Sequence, residues 1–197
     1  MRLEDANLYL AIEAEGDVEQ LRKSCREAIL GGVDIIGLTV PHGREEAVPA
    51  VLEVGAEEDA LVVLRDVARL ASGLSANGLE LVSGTMSLGQ ARAIAGVDKI
   101  VGVVTRELND IVLALEVGVD YVVHQAGSGC VRDFASLGMR AGVPLYAGGV
   151  SGIDEAAELV ANGIYRLCVD AVLIEDGRVR ETMAAYSRIL GRDMGPE

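Results

Sequence analysis

The chain has 197 residues, a length that one hydrophobic core can serve, and sets 17 Lys and Arg against 31 Asp and Glu for a formal net charge of −14. So acidic a surface repels a phosphate backbone and forfeits counterion release, which argues against nucleic acid as a partner. Half the residues are hydrophobic but only 3% are aromatic, so the interior is expected to be built from Val, Leu, Ile and Ala rather than large rings, in α/β packing.

In chain order, the opening MRLEDANLYLAIEAEG sets acids on both sides of a short apolar run, unlike the basic start and longer apolar stretch of a signal peptide. No segment reaches the ~18 apolar residues of a membrane span. The expectation is a cytoplasmic protein with no membrane partner. Cys25, Cys130 and Cys168 are odd in number and widely spaced, which points to reduced thiols rather than a disulfide framework or a CxxC metal site.

Val-, Ile- and Leu-rich runs predict strands at 7–12, 33–40, 60–66, 78–83, 99–104, 119–125, 144–149 and 165–172, with stretches of helical period between them. Val18, Leu21, Cys25, Ala28 and Ile29 mark one buried helix face, and Leu108, Ile111, Val112, Leu115 and Val117 another. Eight such units at about 24 residues each favour a single (β/α)₈ TIM barrel over residues 1–190, followed by a loose tail at 191–197. A doubly wound sheet is the alternative, but no GxGxxG follows the first strand. The openings GGVDI, NGLEL, GVDYV and NGIYR read as a structural repeat in which glycine ends a helix and a strand follows.

The stretch YAGGVSGIDEAAEL, residues 146–159, passes from a strand end through Gly148 and Gly149 into a helix. Those glycines permit close backbone approach, and Ser151 with Asp154 three residues on can form a capping-box variant. In a barrel this turn and the helix N-terminus suit a phosphate, and they equally suit a plain strand-to-helix turn.

The segments GGVDIIGLTV, LVVLRDVARLASGLSANGLELVSG, ARAIAGVDKIVGVVTRELNDIVLALEVGVDYVV and GVPLYAGGV, in this order over about residues 8–175, resemble the thiamine-phosphate synthase and thiazole tautomerase (TenI-like) superfamily. That resemblance implies a (β/α)₈ barrel with its site at the C-terminal ends of the strands. It also implies positions for the synthase's ligands, and there this chain departs. The Gln-Leu-Arg-Glu-Lys that holds a pyrimidine diphosphate becomes Gly37, Leu38, Thr39, Val40 and Pro41. The Asn-Asp pair, whose Asp takes Mg²⁺, becomes Arg65-Asp66, and the His-Leu-Gly-Gln-x-Asp motif becomes Glu80 to Thr85, with a hydroxyl in place of the second metal carboxylate. The Ser and His of the G-x-S-x-H turn become Val104 and Arg106, the Thr/Lys-rich loop after the sixth strand becomes QAGSGCVRD, and the phosphate-contacting Ser of the eighth strand becomes Asp170. Mg²⁺ wants hard, charged oxygens and a diphosphate wants several cations, and neither set is present. A carboxylate within about 4 Å of a phosphate costs on the order of 4 kcal/mol at an effective dielectric near 20, so Asp170 opposes the cradle formed by Gly148, Gly149 and Ser151. The tautomerase branch uses a histidine near the sixth strand; His124 lies in that region at a different offset, and the role is not carried over.

Arg65, Asp66, Glu80, Thr105, Arg106, His124, Gln125 and Asp170 all sit near predicted strand ends and are expected around one mouth. Two readings follow. In the first, His124 serves as acid or base, Arg65 or Arg106 holds a carboxylate and Asp66 assists, in proton transfer on a small anion. In the second, these groups satisfy one another in a polar network. His42 reads as a solvated loop residue, Lys99 as a bottom-face residue and Cys130 as an ordinary loop thiol. With two histidines far apart, no metal site and no cofactor are expected.

The sequence points to a diverged barrel of this superfamily acting as a non-synthase small-anion binding or regulatory protein. The alternatives are an isomerase or lyase on a small phosphorylated or carboxylated metabolite and, third, a true thiamine-phosphate synthase. A homo-oligomer is the default for such barrels.

Overall fold

In the computed structural model, residues 1–65, 76–82, 86–125, 131–138, 141–150, 152–171 and 177–192 are described. Eight parallel strands pair in sequence order and close on themselves: β1 (Leu8–Glu13), β2 (Ile35–Thr39), β3 (Leu61–Arg65), β4 (Gly78–Val82), β5 (Ile100–Thr105), β6 (Tyr121–Gln125), β7 (Leu145–Val150) and β8 (Leu167–Asp170). The helices among the described residues are α1 (Val18–Leu30), α2 (Ala47–Glu57), α3 (Leu88–Ala95), α4 (Leu108–Val117), α5 (Val131–Gly138), α6 (Ile153–Ala161) and α7 (Val179–Ile189). This is the (β/α)₈ barrel the apolar runs predict.

Side chains alternate along each strand between the barrel lumen and the helix layer. Leu10, Leu38, Leu64, Val122 and Val169 face outward and pack with Leu21, Val51, Ile111 and Met183 of the surrounding helices. The lumen holds the other parity, with Ile35, Val63, Val104, Val123 and Cys168 around three tyrosines. Tyr9, Tyr121 and Tyr146 meet edge to face, with ring centroids 5.9–6.3 Å apart. The expectation of an interior without large rings is therefore overturned in the lumen, where three of the chain's five tyrosines are fully buried. Room for two of them comes from glycine: a Cβ on Gly37 would lie 2.0 Å from the Tyr9 hydroxyl, and one on Gly102 would lie 2.1 Å from Tyr121 Cζ.

The repeated strand openings have a side-chain basis. Asp34, just before β2, accepts from the backbone N–H of Leu8 at 3.0 Å and of Asn7 at 2.8 Å. Asn77 before β4 accepts from Val62 N–H at 2.7 Å, and Asp120 before β6 accepts from Val101 N–H at 2.7 Å. The residue before each of these even strands thus latches an amide at the start of the odd strand before it, the first in β1 and the second in β3 and β5. Arg166 stands in the fourth such position and donates instead to the Glu4 carbonyl at 2.9 Å.

Arg192 grips Asp34 through both terminal nitrogens, at 2.7 and 2.9 Å, and the Gly32 carbonyl at 2.8 Å. Of the residues expected in the loose tail, Gly191 and Arg192 are tied to the barrel, and 193–197 lie outside the described residues. On α4, Ile111 and Ala114 are buried, whereas Val112 and Val117, expected on the inner face, are exposed. No helix among the described residues is long and apolar enough to cross a membrane.

Candidate functional site at the barrel mouth

At the C-terminal ends of the strands lies a cavity of about 590 Å³, within the range of small-molecule sites. Glu13, Thr39, Arg65 and Asp170 line it from the ends of β1, β2, β3 and β8, with Glu15, Gly149 and Val150 beside them. Register places Glu13 beside Thr39, Thr39 beside Arg65 and Arg65 beside Glu80 around the wall. Asp170 pairs with Ala11.

Beneath the cavity is a closed polar cluster. Glu80 is 1% exposed. Its Oε1 accepts from Arg65 Nε at 2.6 Å, and its Oε2 accepts from the hydroxyls of Tyr9 at 2.8 Å and Tyr121 at 3.1 Å. Burial works against the guanidinium charge, but Glu80 beside it more than compensates, so the Arg65 pKa lies above its ordinary value. Burial pushes both phenols well above their ordinary range, with Glu80 adding to the effect, so they remain donors. Cys168, deeper in the lumen, is pushed up by burial and by Glu80, and is an inert thiol. Of the two readings of the polar groups, the self-satisfied network describes Arg65 and Glu80.

Strand parity divides the remaining candidates. His124 follows Val122 on the outward face of β6 and does not reach the mouth. Its Nδ1 lies 3.0 Å from Thr105 Oγ1, its ring stacks on Phe134 of α5 at 5.5 Å, and the residue is 1% exposed. Burial lowers its pKa from 6.5, against the pull of Glu107, Thr105 and Asp110. The expectation that His124 and Thr105 join Arg65 at the mouth is thus corrected: both lie between the sheet and the helices. Arg106 is exposed just past β5 and does not line the cavity. Asp66 and Ser151 lie outside the described residues, as does Cys130. His42 is 92% exposed at its side chain, and Lys99 donates to the Ala76 carbonyl at the strand N-terminal end, both as expected.

Gly148 and Gly149 belong to an irregularity in β7, where the register with β8 slips between Ala147 and Val150. Gly149 has φ +73°, a left-handed conformation that favours glycine. The cap of α6 is Gly152, one residue later than the expected Ser151, and it makes no side-chain cap bond. The first turn of α6 carries Asp154 and Glu155, which complement the helix dipole where a phosphate would otherwise do so. The Mg²⁺ implied by the resemblance would rest on Asp66 and the Thr85 position, both outside the described residues. One carboxylate and one hydroxyl are a poor donor set for that ion. Among the described residues, no three His, Cys, Asp or Glu side chains converge as metal ligands.

Residues 8–128 match the family model described as thiamine monophosphate synthase. The chain belongs to this family. Among its relatives, the thiamine-phosphate synthase of Saccharopolyspora erythraea is 33% identical, over 96% of this chain and 95% of that protein. The synthase of Halalkalibacterium halodurans is 27% identical, over 95% and 97%. Among solved structures, the thiamine phosphate pyrophosphorylase of Pyrococcus furiosus superposes with a TM-score of 0.80 at 24% identity, over 94% of this chain and 96% of that one, a likeness of fold. Within this synthase family, the Arg65–Glu80 pair had a partial signal in the sequence, since both members are read there as replacing family residues. What sequence reasoning missed is that they touch, that Tyr9 and Tyr121 meet Glu80 beneath the mouth, and that Glu13 and Glu15 line it.

Proposed function

We propose that this family member binds a small carboxylated metabolite at the barrel mouth and does not carry out the diphosphate-displacing condensation after which its relatives are named. The observation that carries this reading is the Arg65–Glu80 contact of 2.6 Å. The cation lining the cavity is neutralised from below, and Glu13, Glu15 and Asp170 line the same space. A carboxylate needs one guanidinium; a diphosphate with its metal needs several cations and at least two acids.

Binding is favoured over isomerase or lyase chemistry by the placement of His124, since the imidazole that such chemistry would use as acid or base lies behind the sheet. The test is an assay of the full chain with the pyrimidine diphosphate and thiazole phosphate substrates of the family and Mg²⁺. No diphosphate release above the protein-free rate is expected; sustained turnover overturns the reading.

A further inference from the structure

We infer that the ligand of the mouth is a zwitterion of the amino-acid class, its carboxylate on Arg65 and its ammonium among Glu13, Glu15 and Asp170. This deepens the reading of the mouth as a non-synthase small-molecule site and rests on it. The cavity carries both signs of charge on different strands. Arg65, 17% exposed at its side chain, lines it with its guanidinium fixed through Nε to Glu80. Glu80 is itself fixed by two buried phenols, so the arginine is held in place before any ligand arrives. Glu13 and Glu15 line the same space and are exposed, and Asp170 is half-buried on the adjoining strand.

Asp170 sits beside Ala11, and Glu13 lies two residues farther along the same strand on the same lumen-facing side. Two neighbouring strand ends therefore present carboxylates into one space, with the guanidinium two strands away on β3. A simple anion on Arg65 also faces those carboxylates, and a simple cation among the carboxylates also faces the guanidinium. A molecule with both charges, its negative end on Arg65, satisfies each wall. A free α-amino acid has this polarity, and a space of about 590 Å³ leaves room for its side chain against Ala11, Ile12 and Val150.

Titration calorimetry and thermal shift on the full chain test this, with the standard L-amino acids at millimolar concentration, their N-acetyl and α-amide derivatives, inorganic phosphate and diphosphate as probes. At least one free amino acid should bind and raise the melting temperature. Its N-acetyl and its amide derivative should each bind about tenfold or more weakly, since each lacks one charge-assisted contact. In Asp170→Asn, a surface-accessible change that leaves the Arg65–Glu80 pair intact, the gap between the free amino acid and its N-acetyl derivative should narrow. Silence of every amino acid overturns the inference, as does equal binding of the N-acetyl derivative or tighter binding of phosphate or diphosphate. These results are separable from the synthase assay: a chain that makes no thiamine phosphate and ignores amino acids overturns the ligand class and leaves the non-synthase reading standing.

Discussion

Replacing Glu80 with leucine removes the centre of the lumen cluster without opening a void. It leaves the Arg65 guanidinium without its ion partner and the Tyr9 and Tyr121 hydroxyls without their acceptor. Breaking one side of a buried pair costs about 3–5 kcal/mol, and each orphaned buried hydroxyl about 1–3 kcal/mol. Arg65 is 17% exposed and can turn toward the cavity to regain water, so these costs do not add in full. We expect a total of about 3–5 kcal/mol, or a fall in Tm of roughly 6–20 °C for a chain of this size. The chain has no tryptophan, and three of its five tyrosines lie in the lumen, so near-UV circular dichroism during urea unfolding reads this cluster directly. Arg65→Met should also destabilise, by leaving Glu80 with only its phenols. The double variant should cost less than the two singles together by about 1 kcal/mol or more. A Glu80→Leu protein within about 1 kcal/mol of the parent, or a strictly additive cycle, would refute the account of Arg65 and Glu80 as one unit.

Three further outcomes follow from the packing. His124 has a lowered pKa in the folded chain and an ordinary one near 6.5 when unfolded, so the unfolded state takes up the proton first and stability falls as pH drops below about 6.5 toward the folded value. Comparing Tm at about pH 7.5 and 5.5, the drop should be smaller in His124→Leu than in the parent, since carboxylate contributions are common to both; equal drops would count against it. Gly37→Ala and Gly102→Ala each drive a methyl into a tyrosine ring and should cost about 1–3 kcal/mol or more in urea unfolding, with loss of near-UV signal. Asp34→Ala strands two backbone amides and Arg192 together and should cost about 3–5 kcal/mol, whereas Arg192→Ala, which leaves the amides paired, should cost clearly less; reversal of that order would show that the ion pair, not the amide latch, matters most.

The strands and their order were legible because short runs such as VDIIGLTV and VDYVVHQ can be satisfied only in a parallel sheet covered on both sides. That same property hid the site. When both faces of a strand are apolar, the sequence does not say which parity enters the lumen, so His124 and Gln125 were equally eligible for the mouth though they point to opposite sides of β6. The tyrosine–glycine complementarity was a usable signal: Tyr121 stands directly across from Gly102, and a large ring facing a residue without a side chain marks a crowded lumen. Arg65 and Glu80 were legible as departures from the family pattern but not as mutual partners, because their contact depends on the register of β3 against β4.

The amide latches divide the barrel unevenly. Asp34, Asn77 and Asp120 tie β1 to β2, β3 to β4 and β5 to β6 through backbone amides; among the described residues no side chain holds an amide across β2 and β3 or β4 and β5, where Lys99 instead meets the Ala76 carbonyl. A circular permutant opened at the unbridged seam between β2 and β3 keeps every latch inside a contiguous strand pair. One opened between β1 and β2 must recover the Asp34 latch across its own new chain ends, and so places its least secure joint where the closure is already weakest.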